Sequence, residues 1–94
     1  MSKIKAPIIK ADGEIGIATG QGPKWTLKEL REAIGAEHVD VLNLKDDMVM
    51  IVDHVGSIIG KPKNDNATKA YKIHAYRSGE IYGDAIITES SLIP

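Results

Sequence analysis

Residues able to do chemistry cluster in two places along this chain, and neither carries a complete catalytic signature. The first is GQGPKW, residues 20–25, directly ahead of a helical pattern. Glycine-rich backbone leading into a helix N-terminus can hold a phosphate, because unpaired amides and the positive end of the helix dipole converge there. A Walker loop requires Gly-x-x-x-x-Gly-Lys-Ser/Thr, which no register supplies; in the dinucleotide pattern Gly-x-Gly-x-x-Gly the third glycine is replaced by Trp25. Pro23 also removes an amide donor from the stretch. What remains is a clamp of Lys24 and Trp25 for an anionic aromatic ligand, set against the competing use of Trp25 as a packed side chain.

The second place is basic. Residues 61–77 hold five cations, Lys61, Lys63, Lys69, Lys72 and Arg77, against the single acid Asp65, whereas residues 12–60 hold nine acids against Lys24, Lys28, Arg31 and Lys45. In the loop GKPKNDN, Lys61 and Lys63 flank Pro62, Asn64 and Asn66 offer amide donors, and a helix begins at once with its positive dipole end. Tyr71, Tyr76 and Tyr82 add flat faces on which a base can stack. The expected ligand set is therefore Lys61, Lys63, Asn64, Asn66, Lys69 and Arg77 with Tyr71 and Tyr82 as a platform, for an anionic small molecule such as a nucleotide. The competing use is structural: Asn66 caps the helix, the tyrosines pack and the lysines are solvated.

Other chemistries lack their residues. His38, His54 and His74 show no spacing that puts two imidazoles on one helical face, so no metal is expected. A calcium loop beginning at Asn64 would have Lys69 where glycine is needed and Ala75 where glutamate is needed. Ser90-Ser91 has no nucleophile-elbow context, and Asp46-Asp47 sits where a hairpin turn is expected. The expectation is a protein that is not an enzyme and carries no cofactor.

The elements that must position these residues follow from local pattern. Residues 4–9 and 14–18 read as two strands closed by Asp12-Gly13. WTLKELREAIG has Thr26 as cap, Glu29 reaching back to it, Trp25 and Leu30 as a hydrophobic staple, Leu27, Leu30 and Ile34 on one face, and Gly35 as its stop. Residues 39–44 and 48–53 form a hairpin around Lys45-Asp46-Asp47, and residues 57–59 are a candidate short strand. A second helix is expected over residues 67–76 with Asn66 as cap and an alanine-rich stripe, ended by Gly79, and a last strand over residues 81–88. The order β-β-α-β-β-(β)-α-β, with mostly hairpin connections, specifies a single α+β domain over residues 1–94: a small antiparallel or mixed sheet of about five strands with two helices. A chain of this size buries a modest core, so a homo-oligomer is expected. Without cysteine, a secretory leader pattern or an apolar run long enough to span a membrane, the expected location is the cytoplasm.

The stretches LKELREAIG, VDVLNLKDDMVMIVD, Gly60-Lys61-Pro62-Lys63-Asn64, Ala67-Thr68 and Gly83-Asp84 resemble an uncharacterised family of small phage- and plasmid-associated proteins, a domain of unknown function. The likeness covers residues 8–92; GQGPKW and the lysine-enriched loop depart from it. It implies an accessory protein of the host cytoplasm and brings no catalytic residues. Together these readings lead to a binding protein that counters or modulates a host defence system, by sequestering an anionic nucleotide signal or, alternatively, by occluding a host enzyme as a protein-interaction module. A small nucleotide hydrolase is the third alternative.

Overall fold

The structure, a computed structural model, describes residues 3–75 and 79–94. Five strands, β1 (Ile4–Ile9), β2 (Ile15–Gly20), β3 (Val39–Asn43), β4 (Met48–Asp53) and β5 (Ala85–Glu89), form one antiparallel sheet in the order β2-β1-β5-β4-β3. The helices are α1 (Leu27–Ile34) and α2 (Asp65–Ala75). Each half of the sheet is a hairpin, and β5 is inserted between them.

Both hairpins close by local turn chemistry. Gly13, at φ +94°, ends the first turn, where the Lys10 amide donates to the Glu14 carbonyl at 2.9 Å. In the second, Asp46 and Asp47 both have positive φ, 59° and 58°, and the Met48 amide donates to the Lys45 carbonyl. Two left-handed residues match the right-handed twist of the flanking strands. β1 and β5 pair only at Ile8 with Ile86 and Ile9 with Ala85. Pro7 occupies the next position whose amide would point at β5, and it has no hydrogen to donate.

The sheet is covered on both faces. Against α1 lie Ala6, Ile8, Ala18, Val49, Ile51 and Ile86, with Trp25, Leu30 and Ile34 above them. Against α2 lie Met50, Val52 and Ala85, with Ala67 and Ile81, flanked by Ile9, Leu42 and Ile87. Strand β4 alternates between these two cores and is buried along nearly its whole length. On the α2 face the cover stops short of the first hairpin: Ile15 and Ile17 are 63% and 68% exposed.

Three expected elements differ. Residues 57–59 are not a strand: the Ile58 and Ile59 amides both donate to the Val55 carbonyl, and Lys61 to that of Gly56, curling the segment into turns. The last strand begins later than residue 81, because Gly83 (φ +83°) bends the chain and Tyr82 makes only an isolated bridge to Lys63. Leu27 starts α1 outside the core, whereas Leu30 and Ile34 are buried as expected.

Candidate functional site

At the head of α1 the glycine-rich loop is already filled by a carboxylate of the chain itself. The capping box forms: Thr26 Oγ1 accepts from the Glu29 amide at 3.1 Å, and Glu29 Oε1 accepts from the Thr26 amide at 2.9 Å. Glu29 Oε2 then takes the Gln21 amide at 2.9 Å, closing the loop over the helix end. These amides, Thr26 first and Gln21 second, hold the Glu29 carboxyl below its ordinary pKa. The place where a phosphate would sit is thus taken. Trp25, expected as one half of an anion clamp, is in the core: it is buried, its amide donates to the Leu92 carbonyl, and its indole Nε1 donates to Thr88 Oγ1 at 3.0 Å. A large apolar ring with one polar handle is stable buried when that handle finds an acceptor. Lys24 alone of the pair remains exposed.

The GKPKNDN loop is likewise a structural junction. Lys61 Nζ lies 2.6 Å from Asp53 Oδ2 and donates to the carbonyls of Ile34 (3.2 Å) and Gly35 (2.8 Å), the last carbonyls of α1. One ammonium therefore ties the end of β4 to the end of α1. Burial pushes the Asp53 carboxyl up, but Lys61 and the Val55 amide outweigh it and hold the group below its usual range.

Asn64, expected as a ligand donor, is fully buried and caps α2, the role assigned to Asn66 from the sequence. Its Oδ1 accepts from the Ala67 amide at 3.0 Å, while Nδ2 donates to the carbonyls of Ile9 (2.7 Å) and Gly83 (2.9 Å). Asn66 lies exposed in the first turn of α2. The Gly83 amide donates to the Pro62 carbonyl, and Asp84 Oδ1 accepts from the Ala11 amide. The GKPKN loop and Gly83-Asp84 thus meet each other and join β1, α2 and β5.

Of the remaining expected residues, Lys63 and Tyr82 are brought together on Glu80, and Tyr71 and Tyr82 line one cleft, whereas Lys69, Asn66 and Lys24 lie apart from them. Lys63 pairs with Glu80 at 3.2 Å and Asp65 at 3.8 Å, and the Tyr82 hydroxyl donates to Glu80 at 2.6 Å. The Tyr82 hydroxyl and Lys63 hold the Glu80 carboxyl low. Lys69 is exposed, and helical geometry sets it nearly opposite the half-buried Tyr71, which packs on the α2 core. Lys24 precedes α1 whereas Lys61 is bound at its far end, about 12 Å along an eight-residue helix. Arg77, with Tyr76, lies outside the described residues.

Two surfaces were not legible as such in the sequence, although Tyr71 and Tyr82, expected as a platform, line the first. One is a cleft of about 280 Å³ lined by residues that include Asp40, His54, Ser57, Tyr71, Glu80 and Tyr82. There His54 Nδ1 is 2.8 Å from Asp40 Oδ1, across the β3–β4 pair. Among the described residues no hydroxyl is hydrogen-bonded to His54, and no three His, Asp or Glu groups form a metal set. The other is the first hairpin. Its outer strand, IGIATG, carries no charge and no proline, and Ile15, Ile17, Thr19 and Pro7 form an uncovered row on the α2 face. Period-two alternation is weak in this strand because its inward residues are Gly16, Ala18 and Gly20, so only the exposure of the isoleucines marks it.

No family model, curated protein or solved structure matches the chain. Its own geometry therefore carries the functional reading. Among the described residues no helix is long and apolar enough to cross a membrane.

Proposed function

We propose that this chain is a non-enzymatic protein-interaction module whose working surface is the β1–β2 hairpin, taking a strand of another chain along its open edge. The observation that carries the reading is strand β2 itself: an outermost strand with Ile15 and Ile17 mostly exposed and no charge or proline across residues 15–20. Soluble proteins ordinarily guard such an edge with lysine, proline or a bulge, since its free amides and carbonyls template pairing. Main-chain bonds along an added strand supply affinity, and alternate side chains supply selectivity.

The sequestration of a nucleotide signal draws less support from the geometry, because Lys61, Asn64 and Trp25 already have structural partners. In the phage-type setting that the resemblance implies, a module of this kind modulates a host system in the cytoplasm by occluding one of its proteins. The test is retention of a single stoichiometric host protein on immobilised chain. Retention should survive Lys63→Ala and Lys69→Ala and be lost in Ile17→Lys. The opposite pattern, or protection of the chain from heat by a nucleotide panel, would transfer the function to the basic segment.

A further inference from the structure

The geometry points to a second copy of this chain as the resident partner of β2, joined strand to strand about a two-fold axis through Ile17; the inference rests on the hairpin being the working surface, and a host strand taken up there displaces the copy from the one free edge of β2. The β1–β2 ladder decides which backbone groups are free. The Lys10 amide bonds Glu14, so Ile8 with Gly16, Ala6 with Ala18 and Ile4 with Gly20 are the pairs that exchange hydrogen bonds within the hairpin. The amides and carbonyls of Ile15, Ile17 and Thr19 then point away from β1. A two-fold antiparallel pairing sets Ile17 against Ile17 and Ile15 against Thr19, and every outward group on the strand finds a partner.

The side chains agree with that register. On the α1 face Gly16, beneath the Lys10 side chain, meets Ala18, small against small. On the α2 face β-branched residues oppose one another, the pairing that stabilises antiparallel strands. Charge is compatible as well: residues 15–20 carry none, and the flanking Glu14 falls opposite Gly20. The other sheet edge is a poorer mate. Strand β3 carries Asp40 in mid-strand, bonded to His54, and pairing it with β2 of a neighbour would generate an open filament instead of a closed pair. An edge of six residues alone falls below the ~1,000 Å² of a firm interface, so the row of Pro7, Ile15 and Ile17 must contribute, and a Kd in the micromolar class, about −8 kcal/mol, is expected.

Sedimentation equilibrium of the whole chain over about a hundredfold range of concentration tests the pairing. Wild type should show a reversible monomer–dimer equilibrium that Ile17→Lys and, independently, Thr19→Lys weaken by at least tenfold. Thermal melting should be unchanged at concentrations where wild type is monomeric, because both side chains are exposed in the single chain, with wild type alone gaining melting temperature as its concentration rises. The native chain lacks cysteine, so Ile17→Cys should crosslink to itself through a short bismaleimide, whereas Ile15→Cys should crosslink efficiently only to Thr19→Cys. A wild type that stays monomeric, or crosslinking without that register, overturns the pairing. If the chain is monomeric yet Ile17→Lys still abolishes retention of a host protein, only the self-pairing falls. If retention also survives Ile17→Lys, the hairpin reading falls with it.

Discussion

At the scale of single residues, polar groups that looked available for a ligand are committed to the fold. Asn64 satisfies three backbone groups from three segments, so Asn64→Ala should remove the Nδ2 bonds to the carbonyls of Ile9 and Gly83, the latter buried, and uncap α2. The expected cost is about 3 kcal/mol, read as a shift of the denaturant midpoint. Lys61 is similar: removing it strands the buried Asp53 and frees the last carbonyls of α1, a loss of roughly 3 kcal/mol in Lys61→Met. The pH dependence follows from the lowered Asp53 value. Its contribution is fully present above the unfolded carboxylate range and is lost as pH falls through the folded value. In Lys61→Met burial becomes the dominant influence, Asp53 shifts upward, and the stability deficit relative to wild type narrows on acidification. A deficit that stays constant from neutral to acid pH would show that the ion pair does not set the Asp53 titration.

At the scale of elements, local chemistry and tertiary placement can be separated. Helix α1 forms from its own signals: Thr26 and Glu29 at one end, Gly35 in the left-handed region at the other. Thr26→Ala should lower stability by about 1 kcal/mol, and its melting curve is the check. The β3–β4 turn is strained in a way that can be relieved. Asp46 and Asp47 both occupy left-handed backbone, where Asn-Gly is preferred, so Asp46→Asn with Asp47→Gly should stabilise the protein by ~1 kcal/mol. The Asp47 carbonyl that accepts from the Ser90 amide is backbone and survives the change. Failure of the double variant to raise the melting temperature would mean that the two aspartates hold that geometry without strain.

At the scale of the whole molecule, the insertion of β5 between the hairpins decides where the protein is rigid and where it is open. β4 and β5 are buried against both helices, whereas β2 is held only by β1 on one side. Amide hydrogen exchange should therefore be slowest at Val49, Ile51 and Ile86 and fast at the unpaired amides of the two edge strands, Val41 in β3 and the three of Ile15, Ile17 and Thr19 in β2. Raising the protein concentration should slow exchange selectively at those three amides, because they are the groups a paired copy would cover. Uniform slowing, or none, would place the contact elsewhere or remove it.

The chain by itself determined the α+β class, the helix at residues 27–34 with both its caps, and the two hairpins, because each depends on residues within a few positions of one another: Thr26 with Glu29, Gly13 in its turn, alternation within β4. It singled out Lys61, Lys63 and Asn64 as ligand donors, and the contacts they make within the fold were not legible. A lysine that binds a ligand and a lysine that ties Asp53 to the end of α1 look alike until residues 35, 53 and 61 are brought together. The buried position of Trp25 depended on Thr88, and the cap at Asn64 on Ile9 and Gly83, all far away in sequence. Strand order did the same for β2: IGIATG is an unremarkable run until the sheet places it outermost and α2 leaves its isoleucines uncovered. Hydrogen bonds between near neighbours are encoded in spacing, whereas burial and edge position arise only when distant segments meet.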